Sequence, residues 1–162
     1  MTLESMEFAT IDHGRAERQG FPEVIYGAGK TTDQIVAIAE RMAERDGGFL
    51  ATRVGDDASL ALRKRFHKLN VNALARTAHA SGDLPPPVGK GTILVVTAGT
   101  SDLPVAEEAS VTAGALGNRV ARLTDVGVAG IHRILAKKDV LSEAAIVIVI
   151  AGMDGALASV VG

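Results

Sequence analysis

The sequence predicts an α/β fold in which a parallel β-sheet is covered by helices on both faces. Three segments after residue 91 have strand character, and two of them are almost wholly apolar: Thr92–Thr97, 119–124 and 145–150. Such runs are typical of parallel strands buried on both sides. Helices are predicted between them, at 103–116 and 129–138. Because strands and helices alternate, right-handed crossovers should build an open sheet of three layers.

The first 80 residues predict a second, smaller α/β unit with the order β-α-β-α-β. Its strands are expected at 23–26, 49–54 and 71–77. Residues 81–91 contain three consecutive prolines between glycines. Such a run fits neither a helix nor a central strand, so it predicts a linker with polyproline character. The parallel-sheet domain then covers residues 92–162.

The two helices of the smaller unit have recognisable start signals. Thr31 and Gln34 have the spacing of a capping box, so a helix should begin there and end at Gly47. Asp56 and Asp57 are expected to cap the second helix, which carries Leu60, Leu62 and Phe66.

Composition excludes several classes of function. The chain has 162 residues, a formal charge of −2, 3% aromatic residues and no cysteine. A general nucleic-acid binder needs a basic surface and aromatic platforms, so nucleic acid is not expected as a partner. The longest apolar run, 144–151, is too short to cross a bilayer, and residues 1–10 lack the basic start of a signal peptide. We expect a soluble, cytoplasmic protein, and the scattered histidines predict no metal site.

Three glycine-rich loops follow the predicted parallel strands, and each contains one aspartate. Asp102, Asp125 and Asp154 should surround one cleft, because the carboxyl ends of parallel strands meet at one edge, where ligands bind. The first loop opens into a helix whose free N–H groups favour a phosphate, and Thr100 and Ser101 add hydroxyl groups. The substrate-binding residues predicted in these loops are Gly99, Thr100, Ser101, Asp102, Asp125, Gly127, Gly152, Met153 and Gly155. The alternative is a set of ordinary β–α turns.

Two of these aspartates have alternative roles. Asp154 is predicted to be a partly desolvated carboxylate beside apolar neighbours that acts as a general base. It could instead be the N-cap of the following helix. Asp102 is expected either to cap the helix at 103–116 or to accept a hydrogen bond from a ribose hydroxyl.

The end of the chain suggests an incomplete sheet. Three strands make only half of a usual doubly wound sheet, and the strand at 145–150 would be left as an exposed edge. The last predicted helix runs for about two turns before Gly162. We therefore expect the natural gene product to continue beyond Gly162, and the exposed edge to pair with another chain.

Four segments carry a resemblance to a known family. They are Asp12-x-x-Arg-x-x-Arg-x-Gly-Phe-Pro-Glu-Val-Ile-Tyr-Gly-x-Gly-Lys-Thr31, Thr97-Ala-Gly-Thr-Ser-Asp-Leu-Pro-Val-Ala-Glu-Glu-Ala109, Asp125-Val-Gly-Val-Ala-Gly-Ile-His132 and Ala151-Gly-Met-Asp-Gly-Ala-Leu157. In this order they resemble the LarB family, the pyridinium-3,5-biscarboxylic acid mononucleotide synthases of nickel-pincer cofactor synthesis. The resemblance implies a flavodoxin-like, PurE-like fold for residues 92–162, truncated at its C-terminus. Relatives of this domain form octamers, so a homo-oligomer is expected.

The resemblance also implies an activity. The family carboxylates the pyridinium ring of nicotinic acid adenine dinucleotide with CO2 or bicarbonate and hydrolyses the phosphoanhydride, releasing AMP. A cysteine adds to the ring, and an acidic residue at the position of Asp154 removes the ring proton. This chain has no cysteine, so by itself it is predicted not to turn over. Magnesium on the substrate pyrophosphate is compatible with this chemistry, but no residue cluster demands it.

Three basic residues belong to the same resemblance. Arg15, Arg18 and Lys30 suit the phosphates and the carboxylate of the dinucleotide. The alternative is that they are solvated surface charges.

Two other functions remain open. The purine-pathway aminoimidazole ribonucleotide carboxylases share a Gly-Ser-x-Ser-Asp loop with Gly99–Asp102, but no histidine follows His132 where their active-site histidine is expected. The second alternative is a non-catalytic module that binds a nucleotide phosphate, with the aspartates acting only as caps.

Overall fold

The computed structural model describes residues 3–81 and 89–162. The chain divides into two compact units, Met1–Pro85 and Pro86–Gly162. The predicted linker at 81–91 lies largely outside the described residues, whereas the flanking strands end at Ala80 and begin at Thr92. Each unit is described by itself below.

The N-terminal unit contains a small hairpin and a four-stranded mixed sheet. Its strands are β1 (Leu3–Ser5), β2 (Thr10–Asp12), β3 (Ile25–Tyr26), β4 (Phe49–Thr52), β5 (Asn70–Asn72) and β6 (Thr77–Ala80). Its helices are α1 (Arg15–Gln19), α2 (Thr32–Asp46) and α3 (Asp56–Arg65). β1 and β2 form the antiparallel hairpin, and the larger sheet has the order β3-β4-β6-β5. Only the β3–β4 pair in that sheet is parallel.

Helix α2 begins and ends as the sequence predicts. The Thr31 hydroxyl accepts a hydrogen bond from the backbone N–H of Gln34 at 3.2 Å, and the Gln34 side chain accepts from the N–H of Thr31 at 3.0 Å. This reciprocal pair is a capping box. The helix ends at Gly47, whose φ of 76° lies in the left-handed region. The buried side of α2 includes Ile35 and Met42, which pack into the core of the unit.

Two predictions in this unit are wrong. The single strand expected at 71–77 is a hairpin, because the Asn72 side chain accepts from the N–H of Ala75 at 3.0 Å and closes a turn between β5 and β6. Helix α3 is preceded by Gly55 as its N-cap, so Asp56 lies in the first turn instead of capping it. Leu60 is exposed on the outer side of that helix.

The C-terminal unit is built on a parallel sheet, as the sequence predicts. Its strands are β7 (Thr92–Thr97), β8 (Arg119–Leu123) and β9 (Ile146–Ile150). Its helices are α4 (Leu103–Ala115), α5 (Ile131–Leu135), α6 (Lys138–Ser142) and α7 (Ala156–Val161). The strand order β8-β7-β9 is the 2-1-3 order of flavodoxin-like sheets, in which the second crossover runs back over the first strand.

Helices cover both faces of this sheet. On one face, Leu94 and Val96 of β7 pack with Ile134 of α5 and Leu157 of α7. On the other face, Arg122 of β8 reaches α4, where its Nε donates to Ser110 Oγ at 3.1 Å and its guanidinium pairs with Glu107. The α/β class with a parallel sheet between helices is therefore confirmed.

Two details of this unit concern its second crossover and its edge. The helix expected at 129–138 is divided into a 3₁₀ turn at Val128–Gly130, α5 and α6. Strand β9 lies at the edge of the sheet, as expected, and Ile146 is exposed there.

Over the part of the chain that the structure describes, no helix has the length and apolar character needed to cross a membrane.

Candidate functional site

The three aspartate-containing loops of the C-terminal unit lie at one edge of the sheet. β7 pairs in parallel with both β8 and β9, so their carboxyl ends point the same way. Hydrogen bonds join the loops at this edge: the Ala98 N–H donates to Ile150 O at 3.2 Å, and the N–H of Gly127 donates to Ala98 O at 3.0 Å. The Val126 N–H donates to Thr97 O at 3.1 Å. The sequence prediction that the loops share an edge agrees with this geometry.

The first loop is held in shape by its own aspartate. The Asp102 carboxylate accepts a hydrogen bond from the N–H of Gly99 at 2.8 Å, and the Asp102 N–H donates back to Gly99 O at 3.3 Å. Asp102 occupies the N-cap position of α4, as predicted, but its carboxylate bonds Gly99 of the preceding 3₁₀ turn and makes no hydrogen bond to α4. Thr100 and Ser101 lie at the exposed tip. Their hydroxyls can therefore meet a ligand while Asp102 fixes the turn.

The second loop places a charged pair at the edge. Asp125 has a φ of 58°, and its N–H donates to Thr97 Oγ1 at 3.4 Å. The Asp125 carboxylate is 2.7 Å from Nη1 of Arg133. Gly127 is buried, and a Cβ there would lie 2.9 Å from Ala98 O, which explains the requirement for glycine. Sequence reasoning missed Thr97 and Arg133, although a buried threonine at a strand end and a basic residue eight positions after Asp125 are visible in the sequence.

The third loop contains consecutive residues with left-handed backbone. Met153, Asp154 and Gly155 have φ angles of 50°, 55° and 75°. Non-glycine residues adopt this region rarely, and at a cost of about 1–2 kcal/mol each. Asp154 is exposed, so the predicted partial desolvation by apolar neighbours is wrong for this chain. It is not a helix N-cap either, because Gly155 precedes α7 in that position.

The three basic residues of the N-terminal unit engage groups of the same unit. Arg18 makes a two-pronged ion pair with Asp12, which lowers the pKa of that carboxyl through the hydrogen bond and raises the pKa of the guanidinium. Arg15 lies 3.4 Å from a Glu23 oxygen, and Lys30 Nζ donates to the carbonyl of Tyr26 at 2.9 Å. They are therefore not simply solvated charges. Their proposed contact with a substrate stays a prediction.

In the described part of the chain, no group of three or more histidine, aspartate or glutamate side chains is arranged so that it could hold a metal ion. The groups that the loops present at the sheet edge are aspartates, hydroxyls and backbone N–H groups.

Comparisons with known proteins agree with the motifs. Residues 3–82 match the family model of the LarB/PurE-like N-terminal domain. An uncharacterized protein of Methanocaldococcus jannaschii is 37% identical in a match over 165 residues, and the match covers 98% of this chain. The chain spans 64% of the length of that relative. The chain therefore contains a LarB/PurE-like N-terminal domain, which is followed along the sequence by a parallel α/β unit in 2-1-3 order.

Proposed function

We propose that the protein to which this chain belongs carboxylates the pyridinium ring of nicotinic acid adenine dinucleotide and hydrolyses its phosphoanhydride. The products are pyridinium-3,5-biscarboxylic acid mononucleotide and AMP, for nickel-pincer cofactor synthesis. The observation that supports this proposal most is the sheet edge where three loops converge, each of which contains an aspartate. Two of these aspartates, Asp125 and Asp154, have left-handed backbone. Strained backbone of this kind clusters at functional sites.

In this proposal the residues at the edge of the parallel sheet have three different roles. Thr100 and Ser101, at the exposed tip of a loop that leads into α4, hold a phosphate of the substrate. Asp125, oriented by Arg133, accepts from a ribose hydroxyl. Asp154 is exposed at the end of β9, where it can reach a bound ring and remove its proton.

The carbon–carbon bond requires a nucleophilic ring. A thiolate that adds to the electron-poor pyridinium turns it into an enamine, which attacks CO2. Asp154 then takes the ring proton as the thiolate leaves, and aromaticity returns. Water separately cleaves the phosphoanhydride. The sequence of 162 residues has no cysteine, so the proposal assigns the thiolate to a source outside these residues.

The test uses the complete gene product together with the 162-residue chain. Each is incubated with nicotinic acid adenine dinucleotide and bicarbonate, and AMP and the carboxylated mononucleotide are measured. We expect product from the complete protein and none from residues 1–162 alone. Asp154→Ala should lower the rate by roughly 10²–10⁴-fold, as expected for loss of a general base.

A matched control is Asp139→Ala, which removes an exposed carboxylate on α6 away from the loops. This variant should retain the rate. If the complete, folded protein forms no product, the proposal fails, and a non-catalytic module that binds a nucleotide phosphate becomes the better interpretation. Equal losses in Asp154→Ala and Asp139→Ala would reject Asp154 as the base.

A further inference from the structure

The N-terminal unit contains a cavity that the proposed reaction does not use. Its volume is about 340 Å³, and it lies between the β1–β2 hairpin, β3 and α2. The cavity reaches the hydrophobic core of the unit, since four buried core side chains line it: Ile11, Ile25, Ile38 and Met42. A space with an apolar floor favours an apolar or aromatic occupant over water.

Aromatic side chains line the same cavity. Phe8 is 45% exposed and Tyr26 is 57% exposed, and both belong to its lining. By contrast, the rings of Phe49 and Phe66 in the same unit pack against each other edge to face, with centroids 4.9 Å apart. Rings that stay exposed beside an apolar cavity offer flat surfaces on which a planar ligand can stack.

One lysine and one glutamate line the cavity. Lys30 lines it, and its Nζ uses one of three N–H donors on the carbonyl of Tyr26 at 2.9 Å. Glu23 also lines it, but its two oxygens accept from the N–H of Asp12 at 2.6 Å and from Arg15 at 3.4 Å. The carboxylate is therefore engaged by donors within the unit, and the ammonium group is placed to attract an anion.

A second space in the unit lacks the aromatic surface. A groove of about 350 Å³ lies between α2 and α3. It has no aromatic lining residue, its Arg65 pairs with Glu40 at 2.8 Å, and its lining also includes Lys64. Neither volume nor the presence of a lysine therefore distinguishes the two spaces, whereas aromatic surface does.

We infer that the cavity beneath Phe8, Tyr26 and Lys30 is a second binding site, for a planar heteroaromatic ring that bears one anionic group. The ring occupies the apolar space beside the aromatic side chains, and the carboxylate or phosphate meets Lys30. A volume of about 340 Å³ is near the lower limit for ligand sites. The site therefore takes a mononucleotide or a smaller acid, and not a whole dinucleotide. Lys30 is also one of the three basic residues that the resemblance assigns to the dinucleotide; this inference places it at a separate site, which is tested by binding in the absence of carboxylation.

Intrinsic fluorescence offers a direct test. Tyr26 is the single tyrosine of the chain, and the chain has no tryptophan. Its emission is therefore a reporter at the cavity itself. The 162-residue chain is titrated with nicotinate, which has a carboxylate on a heteroaromatic ring, and with AMP, in which a ribose joins a phosphate to a heteroaromatic ring. Nicotinamide and ribose 5-phosphate serve as probes without the charge and without the ring. Free N-acetyltyrosinamide corrects for absorption by the ligands.

We expect a saturable change of emission with nicotinate or AMP, and at least a tenfold weaker apparent affinity for nicotinamide and ribose 5-phosphate. The acid that binds more tightly shows whether the site prefers a carboxylate or a phosphate. The inference is overturned if neither acid gives saturation at millimolar concentration. It is also overturned if the probe without charge or the probe without a ring binds equally well.

Variants separate a binding role from a structural one. Lys30→Met should weaken binding by about tenfold or more, the loss expected for one charge-assisted hydrogen bond. Lys68→Met makes the same change of charge at an exposed position outside the cavity and should bind like the parent chain. Ala9→Leu fills the space without changing the charge and should abolish the signal. Thermal unfolding confirms that each variant is folded; unchanged affinity in both Lys30→Met and Ala9→Leu contradicts the inference.

Discussion

The two units differ in where they place their charged side chains. In the N-terminal unit, charges pair within the fold: His13 is 2% exposed, and its two ring nitrogens lie 3.1 Å from Glu4 and 2.8 Å from Asp46. In the C-terminal unit, Asp125 is 65% exposed although it pairs with Arg133, and Asp154 is exposed; both have left-handed backbone. Removing one partner of the His13 cluster would leave a buried polar group without its pair. The left-handed backbone of the loops costs stability, whereas their exposed carboxylates remain accessible to a ligand.

The cores of the two units also differ in construction. The N-terminal core forms around α2 and α3, with Met42 and Leu62 fully buried. The C-terminal core forms around the central strand β7, with Leu94 and Val96 fully buried. The two sets of buried residues are separate. Each unit therefore has its own apolar centre, and perturbing one centre shows how far the units are independent.

The largest expected effect comes from removing one side chain of either core. Leu94→Ala should destabilise the C-terminal unit by about 2–5 kcal/mol, and Leu62→Ala the N-terminal unit by a similar amount. Unfolding in urea is followed by far-UV circular dichroism, which detects both units, and by the fluorescence of Tyr26, which lies in the N-terminal unit. Leu94→Ala should move only part of the dichroism transition, and Leu62→Ala should move the fluorescence. Identical shifts of both signals in both variants would show one cooperative core.

A smaller effect is expected at the junction of the loops. Gly127→Ala places a Cβ 2.9 Å from Ala98 O and should destabilise the C-terminal unit by about 1–3 kcal/mol through overpacking. The matched control is Gly114→Ala in α4, where a Cβ meets no atom within 4 Å. Alanine there should be neutral or stabilise the unit by about 0.5–1 kcal/mol, because it favours the helix. Thermal unfolding followed by dichroism measures both, and a stable Gly127→Ala variant would contradict the close packing of the loops.

The smallest effect concerns the paired charges of the N-terminal unit. The hydrogen bond from Arg18 lowers the pKa of Asp12 below its ordinary value. The stabilisation is therefore present above the unfolded pKa, about 3.9, and is lost as the pH falls through the lower folded value. Asp12→Asn should make the melting temperature of the unit less dependent on pH in this acid range. Asp57→Asn, at an exposed position of α3, is the control and should keep the dependence of the parent.

Local sequence signals predicted those elements that depend on neighbouring residues. The capping box at Thr31 and the glycine stop at Gly47 correctly bound α2, because both act within one turn of the helix. The apolar runs correctly identified β7 and β9, since parallel strands covered on both faces need apolar residues throughout. The prediction of a single strand at 71–77 was wrong, because the division of this segment into β5 and β6 depends on a turn and on the pairing of β6 with β4.

For the candidate site too, one part could be predicted from the sequence and another part could not. The alternation of strands and helices was enough to predict that Asp102, Asp125 and Asp154 follow strands whose carboxyl ends meet. The contacts of each aspartate became visible only in the fold: Asp102 binds Gly99, Asp125 pairs with Arg133, and Asp154 is exposed with left-handed backbone. Periodicity and capping act over a few residues, whereas ion pairs, burial and strain depend on which distant segments the fold brings together.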